Sequence, residues 1–325
     1  MIYLKPLSGL GNRMRAIDST ISWCQKNKQD LTILWNPNEA LNCSFRSLFE
    51  IPKIPSISIT VLECPLGFPE RYMSNRGNIK GFKVKIIRRI DFYLRYLFTK
   101  RDLNKECSRV LWEFRKLSAD SILTNEDFEK NYSFDIYFGK EVLNQLDLLF
   151  YSKIQQIMED FAQNVDELGF ISSCYRIQHE EGNYKFLVPA RHLSDRIKQV
   201  VRRFGNTIGV HIRRTDHVAA TAYSETGFFV TKMKNILAKE PDSTFFLATD
   251  DLTVRAELKA EFGNKIIYYD KEIFDRNNPE AIEIALVEMF CLAQTKQILG
   301  SHLSTFSQVA ANIGGIVMEE IINNK

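Results

Sequence analysis

The chain has 325 residues, 45% of them hydrophobic, and 43 Lys and Arg against 40 Asp and Glu leave a formal charge of +3. That length can bury a sizeable core and suggests two domains, while so small a net charge gives no whole-protein argument for nucleic acid. Six cysteines without a C-x-x-C pair argue against a zinc site or a dense disulfide framework and read as buried thiols of a reducing compartment.

No basic segment leading into an apolar core opens the chain, so no signal peptide is expected, and no apolar run reaches membrane-spanning length. The expected location is cytoplasmic. Ile2 to Leu7 is a short apolar segment that runs into Ser8-Gly9-Leu10-Gly11-Asn12-Arg13, after which Met14, Ile17, Ile21 and Cys24 recur at helical spacing. This predicts strand, glycine turn and helix. The glycines either bring backbone amides at a helix start close to a ligand or simply make a tight turn. A third glycine is missing, so a nicotinamide cofactor is not indicated.

Leu31 to Trp35 and Ile57 to Leu62 read as further strands. From Arg76 to Lys116 there are 13 Lys or Arg against four Asp or Glu, with Phe82, Ile86, Ile90, Tyr93, Leu94 and Leu97 spaced for one helix face. Such a helix can lie on an anionic membrane surface, as a peripheral contact at the inner membrane face; a core-facing helix with a solvated basic side is preferred. Residues 117–170 look mostly helical. Tyr184 to Val188 is apolar and is broken by Pro189, and a helix is expected from near Ser194.

Beyond Thr207 the alternation is regular. Strands are expected at 207–213, 244–248, 265–269, 297–300 and 315–318, with helices at about 227–239, 251–262, 280–294 and 304–313 between them. This predicts a parallel sheet covered on both faces, a Rossmann-like half. Three strand ends carry polar clusters: His211 with Arg213, Arg214 and Asp216; Thr249 with Asp250 and Asp251; Ser301 with Ser304, Thr305 and Ser307. Parallel strands bring such ends to one edge, where ligands bind.

Two arginines suit a diphosphate, because their planar donors stay charged at any working pH. Asp250 could accept from a ribose or a base, and Ser307 near a helix start could serve a phosphate. Each has a structural alternative. Asp250, Thr249 or Ser304 could cap a helix, and Arg213 could pair with Asp216. Asp250-Asp251 is not the Asp-x-Asp pattern of metal-dependent glycosyltransferases, so no metal is assigned.

His211-Ile-Arg213-Arg214-Thr-Asp216 resembles the His-x-Arg-Arg-x-Asp motif of the α1,6-, α1,2- and protein O-fucosyltransferases. Leu247-Ala-Thr-Asp250-Asp251, and Glu288 to Gln294 followed by Ser304-Thr305-Phe-Ser307-Gln308, are similar to the second and third motifs of the α1,6 enzymes. Gly9-Leu-Gly11-Asn12-Arg13 resembles the glycine loop of the α1,2 and O-fucosyltransferases. The resemblance implies an α/β, GT-B-like fold with two Rossmann-like domains facing a cleft. Residues 1–188 would be the acceptor-side domain and 189–325 the nucleotide-sugar-binding domain.

It also implies inverting, metal-independent transfer of fucose from GDP-fucose, with no cofactor, to a glycan or glycolipid acceptor. Arg213 and Arg214 would then neutralise the leaving diphosphate, and His211 and Asp216 would support them. Asp250 would hold the nucleoside and Ser307 the β-phosphate, with Glu288, Ser304, Thr305 and Gln308 in the donor-side motif. Where the α1,6 enzymes place Lys and then Glu, this chain has His217 and Val-Ala-Ala-Thr221. His217 and Glu225 are candidates for general base, and a carboxylate from the first half of the chain is a third. A GT-B transferase of another nucleotide sugar and a catalytically silent nucleotide- or glycan-binding protein remain the alternatives.

Overall fold

The computed structural model describes residues 1–69, 103–117, 119–129, 140–165, 167–178, 184–215, 218–270 and 273–323, without the side chains of 119, 140–151 and 218–220. The chain forms two compact units. The first holds Met1–Ser8, Ala16–Asn38 and Ile51–Glu180; the second holds Gly9–Arg15, Glu39–Glu50 and Glu181–Lys325.

The first unit is built on strands β1 (Ile2–Pro6), β2 (Leu31–Trp35), β3 (Ile59–Glu63), β4 (Ile122–Thr124) and β5 (Gly169–Ser173). They form a parallel sheet in the order β3-β2-β1-β5-β4. Every residue of β1, β2 and β5 is buried, as expected of parallel strands covered on both faces. Helix α1 (Leu10–Asn27) follows β1. Within the mixed, mostly helical pattern expected for 117–170, β4 and the first two residues of β5 are a correction. Three residues are too few to show a period, and a strand buried on both faces shows no alternation. Gly169 belongs to that packing, since a Cβ there would lie 2.7 Å from the Phe161 ring.

Of the basic stretch, 76–102 lie outside the described residues. Its remainder contains helix α3 (Lys105–Glu113), which follows the short α2 (Phe45–Leu48). Helix α3 buries Cys107, Val110 and Leu111 in a core with Tyr3, Leu34, Phe114 and Phe170. Helices α4 (Asn125–Glu129) and α5 (Lys140–Asn164) follow among the described residues.

Helix α6 (Arg191–Val201) opens the regular part of the second unit. There follow β6 (Thr207–Ile212), α7 (Val218–Tyr223), α8 (Thr226–Lys239), β7 (Thr244–Thr249), α9 (Leu252–Phe262) and β8 (Ile266–Tyr268). Then come α10 (Pro279–Leu292), β9 (Ile298–Gly300), α11 (Thr305–Gly314) and β10 (Met318–Glu320). All five strands run parallel in the order β10-β9-β6-β7-β8. The last strand starts later than expected, because Gly315 ends α11 in a left-handed conformation (φ 61°) and the chain rejoins the sheet only at Met318.

Strand β6 is central, paired along six residues with β7 and along three with β9. Ile208, Val210 and Ile212 pack with Phe229, Met233, Phe245, Leu258 and Leu299. Each such side chain contributes about 1.5–3 kcal/mol on burial, so the end of β6 is a rigid base for the loop that leaves it. Strand order reverses between β6 and β9, and in open parallel sheets ligands bind outside the carboxyl ends at that point. Among the described residues, no helix is long and apolar enough to cross a membrane.

Candidate active site

Beyond β6 the backbone leaves the sheet, yet three successive amides remain bound by side chains from the neighbouring strand ends. The Arg213 amide donates to Ser301 Oγ at 3.0 Å, and Ser301 Oγ donates to the His211 carbonyl at 3.2 Å, so a hydroxyl after β9 continues the ladder. The Arg214 amide donates to Asp250 Oδ1 at 2.8 Å. Thr215 donates to Asp250 Oδ2 through its hydroxyl at 2.8 Å and its amide at 3.4 Å. Arg213 Nη1 lies 3.1 Å from the same oxygen.

Asp250 is therefore the organiser of this loop, and its carboxylate is occupied by the protein. Burial opposes its ionisation, but the charge of Arg213 and the hydrogen bonds from Thr215 and Arg214 prevail, holding it below the usual carboxylate range. Neither Asp250 nor Thr249 caps the next helix. That role falls to Asp251, which accepts from the Thr253 and Val254 amides of α9 at 2.7 and 3.4 Å. Arg213 thus pairs with Asp250, whereas Asp216 and His217 lie outside the described residues.

The two arginines do different work. Arg214 Nη1 donates to the Arg213 carbonyl, and its Nη2 donates to the Ser224 carbonyl and to Thr226 Oγ1, all at 2.8–2.9 Å. Burial lowers its guanidinium from the ordinary value, against the opposing charges of Asp250, Asp251, Glu257 and Glu225. Thr221 Oγ1 donates to the Arg214 carbonyl at 2.9 Å, so α7, a helix absent from the expected elements, is also tied to this loop. Glu225 is exposed at the N-cap of α8 and makes no capping hydrogen bond with its side chain.

His211 is buried, its ring stacked on Phe306 of α11 with centroids 4.7 Å apart. Ser304 occupies the N-cap of α11 without a side-chain capping bond, which leaves first-turn amides to find another acceptor. Ser307 is fully buried and donates to the Ser304 carbonyl at 3.2 Å, and a Cβ on Gly300 would come within 2.9 Å of its hydroxyl. Its oxygen thus faces the β9 backbone. Thr305 and Gln308 are half-buried on α11, and Glu288 is buried on α10. Burial, with the Glu288 charge behind it, pushes the Cys291 thiol up.

The glycine loop behaves differently from a simple turn. Neither Gly9 nor Gly11 has a positive φ; the left-handed residue is Ser8, at 69°. Gly11 permits close approach instead, since a Cβ there would lie 3.2 Å from the Thr305 carbonyl oxygen. The first turns of α1 and α11 therefore meet backbone to backbone. Asn12 is half-buried, and Arg13 is fully buried, its guanidinium lowered to about 10 by desolvation and still charged at neutral pH.

Residues that the motifs did not single out are Thr215, Ser224, Thr226 and the pair His302–Glu320, whose Nδ1 and Oε2 are 3.0 Å apart. His302 is also held by the Ser224 hydroxyl, which accepts from its amide at 2.8 Å. A short polar run after a strand was the one available signal.

No protein-family model matches the chain, and no curated protein matches it. Among solved structures, the chain is similar to NodZ α1,6-fucosyltransferase soaked with GDP-fucose, at 16% identity and TM-score 0.52 over 96% of this chain and 92% of that one. It is also similar to an Arabidopsis thaliana FUT1 variant in complex with GDP, at 13% identity and TM-score 0.52 over 99% and 70%. A third similarity is to POFUT1 in complex with GDP, at 11% identity and TM-score 0.51 over 98% and 97%. At these identities what is shared is the fold, an α/β, GT-B-like architecture with two parallel five-stranded sheets.

Proposed function

We propose that the chain is a glycosyltransferase that transfers fucose from GDP-fucose to a glycan or glycolipid acceptor, with inversion and without a metal or other cofactor. The observation that carries this reading is the arrangement at the strand-order reversal of the second unit. There Asp250 fixes the Arg213 side chain at the end of β6, and the Arg213 amide is bound by Ser301, three residues before the side-chain-uncapped N-cap of α11. A cation and helix amides in one place suit a diphosphate. NodZ, FUT1 and POFUT1, which share the fold, bind GDP or GDP-fucose.

In this reading Arg213 and the α11 amides receive the charge that develops as the bond from the anomeric carbon to the β-phosphate oxygen breaks. The acceptor hydroxyl attacks the opposite face and loses its proton to Glu225 or His217. Electrostatic preorganisation of this kind is worth about a hundred- to a thousandfold in rate for each donor removed. The reading without a metal is supported by the engagement of both Asp250 and Asp251 with protein donors. The proposed location is cytoplasmic; for residues 76–116 a core-facing helix with a solvated basic side is preferred to a peripheral membrane contact, and sedimentation with anionic vesicles at low salt decides between them.

The test of the donor is a thermal-shift panel of GDP, UDP, CMP and dTDP without metal. Ligand at a hundredfold over its Kd adds about 2.7 kcal/mol of stability. GDP is expected to stabilise, and stabilisation by UDP alone would overturn the fucose assignment. Labelled GDP-fucose should also release GDP slowly into water without acceptor. Binding without any release would favour a silent nucleotide-binding protein.

A further inference from the structure

We infer that Cys64 and Cys107, in the first unit, form a redox-active dithiol that a peroxide converts into an intramolecular disulfide. The two residues are 43 positions apart in sequence, yet their sulfurs are 3.6 Å apart in the core. Cys64 directly follows β3, and Cys107 lies in the first turn of α3. Both are buried, with carbonyl acceptors close by: Leu62 O is 3.4 Å from Cys64 Sγ, and Glu63 O is 3.9 Å from Cys107 Sγ.

The surroundings divide the labour between the sulfurs. The Cys107 amide is capped by Asn104 Oδ1 at 2.7 Å, which places the thiol at the positive end of a nine-residue helix, where a thiolate is favoured. Hydrogen bonding from Cys64 draws the Cys107 thiol down, outweighing its burial, while the same contact and burial push Cys64 up. Cys107 is therefore the nucleophile and Cys64 the resolving thiol. Desolvation pushes the buried Cys24 thiol up to about 12 and the buried Cys291 thiol up as well.

The chemistry balances with a peroxide, a small neutral two-electron oxidant. The Cys107 thiolate attacks one oxygen, the O–O bond breaks, and the departing hydroxide takes a proton to become water, leaving Cys107 as a sulfenic acid. Cys64 sulfur then displaces that hydroxyl, the S–S bond forms, and the Cys64 proton leaves with the hydroxyl as a second water. Two thiols lose two electrons, and one peroxide becomes two waters. The bond would tie the end of β3 to the start of α3.

The experiment exposes native protein to a small excess of hydrogen peroxide, then alkylates under denaturing conditions and maps peptides by mass spectrometry. The expected result is a linked peptide pair containing Cys64 and Cys107, two hydrogens lighter and restored by dithiothreitol, with alkylatable thiols falling from six to four. Melting should rise by several degrees. Alkylation of all six thiols after exposure, linkage through other cysteines, or Cys107 recovered as sulfinic acid beside an alkylated Cys64 would each overturn the inference. Because the wild-type chain is the reagent, no variant has to fold; Cys64→Ser adds a check by trapping the sulfenic acid at Cys107 with dimedone.

Discussion

Replacing Asp250 with asparagine leaves the shape of the side chain and removes its charge, so it isolates what the carboxylate does. In the native loop its two oxygens receive Arg213 Nη1 at 3.1 Å, the Arg214 amide at 2.8 Å and the Thr215 hydroxyl at 2.8 Å. Asparagine keeps one acceptor oxygen and turns an NH2 group toward at least one of these donors. Hydrogen bonds to a charged group contribute about 1.5–3 kcal/mol each, though they do not add. With 20% and 14% of the Arg213 and Asp250 side chains exposed, the ion pair lies between a surface pair and a buried one. The expected loss is about 2–4 kcal/mol, which a domain of ordinary stability survives.

The kinetic loss should be larger than the loss of fold. Misplacing Arg213 by about 1 Å costs on the order of a hundredfold in rate. GDP-fucose turnover and melting temperature, measured on the same Asp250→Asn preparation, check both numbers. The pH dependence gives a third readout. Asp250 has its folded pKa lowered, so its contribution is present above the unfolded carboxylate value of about 3.9 and is lost as pH falls through the folded value. The stability gap between wild type and variant should therefore be flat above about pH 5 and close on further acidification. Turnover within threefold of wild type, with an unchanged melting temperature, would refute the assignment of Asp250 as organiser.

Ser301→Ala should cost about 1–3 kcal/mol, because the Arg213 amide loses its acceptor, and denaturant unfolding measures it. Gly11→Ala should destabilise: the backbone of Thr305 at 3.2 Å has no torsion with which to yield, and this outweighs the roughly 0.5–1 kcal/mol gained in helix propensity. Gly9→Ala, whose added Cβ would find Arg276 Nη1 only at 4.0 Å, should change the melting temperature by no more than a degree or two, and the pair of melts tests the contrast. Arg214→Ala should lower both the melting temperature and turnover and speed proteolysis between α7 and α8. Arg213→Ala should reduce turnover about a hundredfold or more while sparing the protease sites.

The second unit was legible because its strands and helices alternate at lengths that a period can reveal, and because three of its strands end in polar residues that a core would not hold. The first unit was less so. Strand β4 has three residues and β5 begins with Gly169, chosen for the Phe161 ring rather than for strand propensity. The cysteine count argued against a disulfide framework from spacing alone, and spacing cannot show that β3 and α3 bring Cys64 and Cys107 into contact. In the glycine loop the motif was visible but its physical reason was not: Gly11 answers to Thr305, nearly three hundred residues away.

The adjacent arginines show where motif reading needs geometry. Successive residues leaving a strand project to opposite sides, so Arg213 and Arg214 cannot be assumed to grip the same anion. Arg213 turns to the carboxylate after β7; Arg214 turns to Ser224 and Thr226 at the start of α8, spending three of its five donors on neutral oxygens. Arg214 also faces the charges of Asp251, Glu257 and Glu225, while the first turn of α11 offers the partial positive charge of its amides. In the proposed reading Arg213 and helix amides meet a diphosphate, while Arg214, bonded to the Ser224 carbonyl and to Thr226, braces the loop. The same two letters of sequence encode an ion pair with Asp250 and a brace on Ser224 and Thr226, and only the direction of each side chain separates them.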